Sequence, residues 1–198
     1  MAYDLHGSWD ADVKTLGSIV RGQADIREIR NDTDPLWFDA LNPAKINLGV
    51  AYYGRGYTLS DPKCNYIGCK FSGPSKAAPC TAQTGVMSLI EIQQLIATHQ
   101  PKIYPDLLKD PMMKQITWDD QWIGYDDDET IALKKTFAND LCFGGTMIWS
   151  VDFNSGAGRY VNYEGVSAAW SKHDSRGHIL TELFQWKQSG LDQSNQPN

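Results

Sequence analysis

Four short runs of apolar or alternating residues predict β-strands in this chain. They cover residues 46–53, 114–119, 121–125 and 144–150. The first and the last are apolar almost throughout, as in strands that are buried on both faces. Gly54-Arg55-Gly56 is expected to turn the chain after the first run. Asp119-Asp120 is expected to join the middle two runs as a hairpin.

Capping signals predict helices between these strands. A Ser, Thr or Asp followed three residues later by Glu can satisfy backbone N–H groups of the first helical turn. The pairs with this spacing are Asp25 with Glu28, Ser88 with Glu91, and Asp126 with Glu129. The first helix is expected to stop before Pro35, which suits the start of a second short helix ending at Leu41. In the last helix, Leu133 and Phe137 are expected to face inward.

The order along the chain is strand, helices, strand, insertion, helix and strand. This alternation favours an α/β fold with a parallel sheet or barrel and an α+β insert. Residues 57–83 are expected to form a loop that contains three of the four cysteines. The cysteines are Cys64, Cys69, Cys80 and Cys142, and the sequence leaves all three pairings open. The polar tail, residues 191–198, is expected to be disordered.

Composition and charge exclude several classes of partner. The net charge is −6, and the 18 Lys and Arg residues are scattered, so a nucleic-acid or anionic-membrane partner has no electrostatic basis. No apolar stretch approaches the ~20 residues of a membrane span. The cysteines form no Cys-x-x-Cys pair, and no metal or organic cofactor is expected. The 7 Trp and 9 Tyr suit carbohydrate binding, because a pyranose ring lies flat on an aromatic face.

Three strand-end motifs occur in a fixed order. They are Met1-Ala2-Tyr3-Asp4 with Gly7 and Trp9, then Tyr53-Gly54-Arg55, then residues 144–149 (Gly-Gly-Thr-Met-Ile-Trp). With residues 122–127 (Trp-Ile-Gly-Tyr-Asp-Asp), this ordered set resembles the glycoside hydrolase family 18 chitinases over roughly residues 1–160. The likeness is greatest to fungal members with a cysteine-bearing loop after the seventh strand.

The resemblance implies an α/β fold, a partial (β/α)8 TIM barrel with a reduced α+β chitinase insertion domain. It divides the chain into four parts. These are residues 1–56 with barrel strands six and seven, 57–121 as the insertion-like segment, 122–170 with the last helix and strand eight, and 171–198 as a C-terminal helix and polar tail. Catalytic residues of such barrels lie at the C-terminal ends of the strands, where the motifs fall.

The resemblance also implies roles for particular residues. In this family the N-acetyl oxygen of the substrate attacks the anomeric carbon, so the enzyme must hold the acetamide still. Tyr3 and Asp4 match the catalytic tyrosine and aspartate that position this group. The expected substrate-binding residues are Met1, Trp9, Tyr53, Arg55, Met147 and Trp149. Simpler interpretations stay open: Asp4 as a turn cap, Arg55 as a structural ion pair, Trp149 as a core residue, and Met1 as an initiator only.

The general acid of the family is the Glu that ends an Asp-x-x-Asp-x-Asp-x-Glu motif on the fourth strand. No Glu of this chain has Asp at seven, four and two residues before it. Five strands and the acid are therefore expected to be missing, since a full barrel needs about 250 residues. We expect the isolated polypeptide to be inactive towards chitin. We also expect marginal stability or aggregation, because three parallel strands without neighbours have open edges.

Three functions follow from this sequence: a part of a chitinase, a chitin-binding lectin without catalysis, or a non-functional product of a truncated gene model or pseudogene. The expected partner is chitin or an N-acetylglucosamine oligosaccharide, and the chain is expected to be a monomer. The parent family is extracellular. Residues 1–6 do not have the pattern of a signal peptide.

Overall fold

The structure, a computed structural model, describes residues 1–99 and 102–154. Its α-helices are α1 (Ile26–Phe38), α2 (Leu89–His99) and α3 (Asp128–Asp140). Its strands are β1 (Asn47–Ala51), β2 (Tyr53–Leu59), β3 (Phe71–Pro74), β4 (Val86–Ser88), β5 (Asp106–Leu108), β6 (Met113–Trp118), β7 (Gln121–Tyr125) and β8 (Gly145–Trp149). Short 3-10 helices cover Ser8–Asp12, Pro43–Lys45 and Val151–Phe153. The C-terminal helix and polar tail expected at 171–198 lie outside the described residues.

A parallel strand pair lies beside the first residues of the chain. Strand β1 pairs with β8, and Ala51 lies opposite Trp149 at their C-terminal ends. On the other side of β1, the N–H of Ala2 donates to the carbonyl of Gly49 at 3.2 Å. The first residues of the chain, β1 and β8 are therefore neighbours, and their motifs come to one edge.

The other six strands form an antiparallel sheet. Its order is β3-β2-β7-β6-β5, and β4 also pairs with β2. The hairpin expected at Asp119-Asp120 is confirmed, since it joins β6 to β7. The loop expected over residues 57–83 is only partly present, because β2 runs to Leu59 and β3 lies within it. The division of the chain at residues 57 and 121 stays a prediction.

The turn expected at Gly54-Arg55-Gly56 is wrong, because all three residues lie within β2. A side chain on either glycine would collide with the neighbouring strand. A Cβ on Gly56 would lie 2.6 Å from Cγ1 of Ile123, and one on Gly54 would overlap Cγ2 of the same isoleucine. These glycines thus allow close packing of β2 against β7.

The helix boundaries differ from the expectations at two places. Helix α1 is continuous through the exposed Pro35, so the prediction of two separate helices is wrong. The third helix is capped by Asp127 with Thr130, one residue later than expected. On this helix Lys134 is buried at 1% exposure and Leu133 is 39% exposed, so the expectation that Leu133 faces inward is wrong. The capping box of Ser88 and Glu91 is confirmed.

Strand β8 is not the buried strand that its apolar sequence predicts. Ile148 packs against the main core, whereas Met147 and Trp149 on the other face are 37% and 55% exposed. One face of β8 is therefore open, and its aromatic side chain is available to a cavity. The disulfide that the sequence left open joins Cys64 to Cys69, and Cys80 and Cys142 are free and exposed.

Two features are absent from residues 1–99 and 102–154. No group of three or more His, Cys, Asp or Glu side chains there could hold a metal ion. No helix within the same ranges has the length and apolar character needed to cross a membrane.

Candidate saccharide-binding site

A carboxylate at the edge of the parallel pair is held by two neighbours on β2. Oδ1 of Asp4 accepts hydrogen bonds from the hydroxyl of Tyr53 at 2.7 Å and from Nε of Arg55 at 2.8 Å. Oδ2 accepts from Nη2 of Arg55 at 2.7 Å. Burial opposes ionisation, but the hydrogen bonds from Arg55 and Tyr53 prevail and hold the pKa of Asp4 below its usual range. Asp4 is therefore a fixed anion at neutral pH.

The guanidinium of Arg55 also lies between two aromatic rings. It is 4.9 Å from the ring centre of Trp9 and 5.5 Å from that of Tyr53, within the range of cation–π attraction. Trp9 folds back over Gly7, where any Cβ would overlap the indole. The motif glycine thus lets Trp9 reach Arg55, and Asp4, Arg55 and Trp9 form one contiguous group.

Tyr3 lies behind this group with its hydroxyl unused. Its ring meets that of Tyr53 edge-on at 6.1 Å. The hydroxyl is buried and has no hydrogen-bond partner within residues 1–99 and 102–154. Burial, and then the charge of Asp4, raise the pKa of Tyr3. Its phenol therefore stays protonated and keeps a proton to donate.

Gly49 in the middle of β1 lets the other predicted residues converge on Tyr3. A Cβ at Gly49 would lie 3.1 Å from Cα of Met1 and 3.2 Å from both Cε of Met147 and Cε1 of Tyr3. Such contacts are tighter than most real Cβ contacts, so a side chain here would push its neighbours by a few tenths of an ångström. The glycine therefore lets Met1, Tyr3 and Met147 pack closely around β1.

A cavity of about 390 Å³ opens beside Asp4, Tyr53 and Arg55. This volume lies within the usual range of small-molecule sites. Its lining consists of Asp4, Tyr53, Arg55, Cys80, Thr81, Gln83, Val86, Trp149 and Phe153. The carboxylate group, the open face of Trp149 and the loop before β4 therefore form its walls.

The structure brings the predicted site residues into one region. Asp4, Tyr53, Arg55 and Trp149 line the cavity. Tyr3 and Trp9 do not line the cavity themselves, but they contact the lining residues Tyr53 and Arg55. Met147 and the 87% exposed Met1 lie beside Tyr3. The ion pair of Arg55 with Asp4 is present, and the roles of all these residues towards a sugar stay predictions.

Sequence reasoning missed a buried network that holds the segment carrying Trp9. Nδ1 of His6 is 2.7 Å from Oδ2 of Asp10, and its Nε2 is 3.0 Å from Oε2 of Glu28. Nη1 of Arg21 lies 3.4 Å from the same Asp10 oxygen. The spacing of His6 and Asp10 is too common to be a signal, and Glu28 comes from a distant part of the chain. Glu28 thus bonds His6 rather than closing the capping box expected with Asp25.

The fold and site together define an α/β protein with an aromatic and carboxylate-lined cleft at the ends of parallel strands. The family model "Glycosyl hydrolases family 18" matches residues 1–154. The chain therefore belongs to glycosyl hydrolase family 18.

Named relatives agree with this membership. The chain is 30% identical to an endochitinase of Brugia malayi, over 92% of this chain and 38% of the relative. It is 28% identical to the secreted chitinase LysM12 of Penicillium expansum, over 84% of this chain and 12% of that protein. The chain thus spans well under half of the length of each of these two relatives.

Solved structures share the fold. A family 18 chitinase from Cycas revoluta, in complex with allosamidin, superposes with a TM-score of 0.65 at 26% identity, covering 78% of this chain and 42% of that one. Human YKL-39, described as a pseudo-chitinase with retained chitooligosaccharide binding, gives 0.66 at 27%, covering 78% and 43%. These matches show the α/β fold of the family 18 chitinases.

Proposed function

We propose that these residues are the substrate-holding part of a chitinase that hydrolyses β-1,4 bonds between N-acetylglucosamine units. One observation carries the proposal: a fixed anion, Asp4, shares a cavity with the open face of Trp149 in a chain of family 18. In this proposal, residues 1–3, β1 and β8 correspond to barrel strands six, seven and eight. The partner is chitin or its oligomers, and the parent protein is extracellular, as the name of the Penicillium relative suggests.

The proposed chemistry is substrate-assisted and retains the anomeric configuration. Trp149 would support the sugar ring from below, and the free hydroxyl of Tyr3 would donate to the acetamide. Asp4 stays charged and would stabilise the positive charge that develops as the acetamide oxygen attacks the anomeric carbon. Holding the acetamide in this near-attack geometry can supply several kcal/mol of the barrier.

A carboxylic acid must donate a proton to the leaving oxygen. The family's motif for this acid, Asp-x-x-Asp-x-Asp-x-Glu, does not occur in these 198 residues. We therefore propose that this polypeptide binds chitin oligomers without cleaving them. Hydrolysis would require a Glu on residues outside the sequence described. A lectin is the second candidate, and the likeness to human YKL-39 favours it. An in-frame Asp-x-x-Asp-x-Asp-x-Glu in the parent gene would indicate the enzyme, and a replaced Glu the lectin.

A Trp149→Ala chain is expected to bind tri-N-acetylchitotriose about 5–30-fold more weakly than the unchanged chain. Stacking one pyranose face on the indole buries apolar area worth about 1–2 kcal/mol. Isothermal titration calorimetry measures the change. Phe38→Ala is the matched control, because Phe38 is 89% exposed and lies at the end of α1 outside the cavity.

Cellotriose tests the role of the acetamide in the same titration, because it has the same linkage without the N-acetyl groups. The unchanged chain is expected to bind it far more weakly than chitotriose. Equal affinity for the two sugars, or an unchanged affinity in Trp149→Ala, would contradict the proposed function.

A further inference from the structure

One wall of the cavity is a loop that precedes β4. Cys80, Thr81 and Gln83 of this wall loop (residues 80–83) line the same cavity as Asp4 and Trp149. The loop contains no regular secondary structure, and Ala82 has a positive φ of 50°. A non-glycine residue adopts this conformation only at a cost in backbone strain. The shape of the wall loop therefore needs an anchor.

The anchor is a buried carboxylate on α2. Oε1 of Glu91 accepts from the backbone N–H groups of Cys80 at 2.6 Å and Thr81 at 3.0 Å. Its Oε2 accepts from the hydroxyl of Thr81 at 2.7 Å, and from N and Oγ of Ser88 at 3.1 and 2.7 Å. The bonds with Ser88 cap the helix. The three hydrogen bonds to the wall loop are not needed to cap the helix, so they serve to hold the loop.

These bonds use the whole acceptor capacity of the carboxylate. Two carboxylate oxygens offer about four lone-pair sites, and five donors already point at them. Burial opposes ionisation, yet the hydrogen bonds from Ser88, Thr81 and Cys80 keep the pKa of Glu91 below its usual range. Glu91 is 5% exposed, so no capacity remains for a ligand. It acts on the cavity only through the wall loop.

We propose that Glu91 is a positioning residue that fixes the wall loop as one side of the saccharide site. This inference rests on the proposed function, because it assigns a further contact to the same saccharide site.

The two free thiols of the chain offer a direct test. Cys80 lies in the wall loop, and Cys142 follows α3 outside the cavity, so alkylation of Cys142 is an internal control. Iodoacetamide labelling of the full chain, followed by peptide mass spectrometry, gives the ratio of the two rates. In Glu91→Gln, saturating chitotriose is expected to slow Cys80 alkylation by less than about twofold, because a loop without its anchor lies against the sugar less often. Glu129→Gln, an exposed glutamate paired with Lys114, is expected to keep the protection of the unchanged chain.

Saturating chitotriose separates this inference from the proposed function. In the unchanged chain, the sugar is expected to slow Cys80 alkylation about fivefold and to leave Cys142 unchanged. Absence of this protection would contradict sugar binding at this wall, and with it the proposed function. Full protection that persists in Glu91→Gln, with an unchanged rate ratio, would overturn the role of Glu91 alone.

A second pair of variants decides the case if Glu91→Gln unfolds and both thiols accelerate together. Thr81→Val removes one donor to Glu91 at nearly constant volume, whereas Thr81→Ser keeps the hydroxyl. With saturating chitotriose present, the Cys80 to Cys142 ratio is expected to be about fivefold higher in the valine variant than in the serine variant. Equal ratios in both variants would overturn the proposal.

Discussion

An Asp4→Asn chain is expected to bind chitotriose about 10–100-fold more weakly than the unchanged chain, a loss of about 1.4–2.7 kcal/mol. The amide would turn an N–H donor towards the guanidinium of Arg55, which is only 18% exposed. A partly buried charge would then lose its partner. Arg55 would also be free to leave the face of Trp9, so the cavity wall would lose its order.

The matched control for Asp4 is Asp12→Asn, which changes an exposed carboxylate at the end of the 3-10 helix that carries Trp9. Its affinity is expected to equal that of the unchanged chain. Acidification gives an independent check. Because the pKa of Asp4 lies below its usual range, the contribution of its charge is present at neutral pH and is lost only as the pH falls through that lowered pKa. An Asp4→Asn chain with undiminished affinity would refute the role of this carboxylate.

A Lys134→Met chain is expected to lose about 3–5 kcal/mol of unfolding free energy. Nζ of Lys134 lies 2.6 Å from Oδ2 of Asp126 and donates to the carbonyl of Ala24 at 2.7 Å. Both charged side chains are almost fully buried, at 1% and 2% exposure. The substitution would leave the carboxylate without its counter-charge in the core. Urea unfolding followed by circular dichroism measures the loss.

Lys135 provides the comparison for this substitution. It follows Lys134 directly on α3 but is exposed. Lys135→Met is expected to change the unfolding free energy by no more than about 0.5 kcal/mol. Equal unfolding curves for the two variants would show that the ion pair of Lys134 with Asp126 does not hold α3 in place.

The sequence allowed the site to be predicted better than the sheet around it. Tyr3, Asp4, Tyr53 and Trp149 were expected at one site because their motifs resemble those of family 18, and Asp4, Tyr53 and Trp149 do line one cavity. Helix α2 was predicted because its capping residues are only three positions apart. Local signals decide such features.

Features that depend on distant partners were missed. Gly54 was predicted to be part of a turn because glycine is common in turns. Its actual role depends on close contact with Ile123, which is distant in sequence and gives no local signal. Asp126 and Asp127 both have a side chain that can cap a helix. Asp126 is instead buried in an ion pair with Lys134, so Asp127 is the cap. His6 had no recognisable partner until α1 brought Glu28 to it. In each case a tertiary contact determines the structure, and no local sequence pattern indicates that contact.

The most direct test of the saccharide cleft is a ¹⁵N NMR titration of the indole N–H groups with chitotriose. The indole signals of Trp149 and Trp9 are expected to shift in a saturable manner. Trp149 lines the cavity, and Trp9 contacts Arg55, which also lines it. Trp122 is expected to stay in place, because it is fully buried and its N–H is bound to Gln115 at 2.8 Å. Cellotriose is expected to cause far smaller shifts. Chitotriose that leaves Trp149 and Trp9 unmoved, or that shifts them no more than it shifts Trp122, would contradict the account.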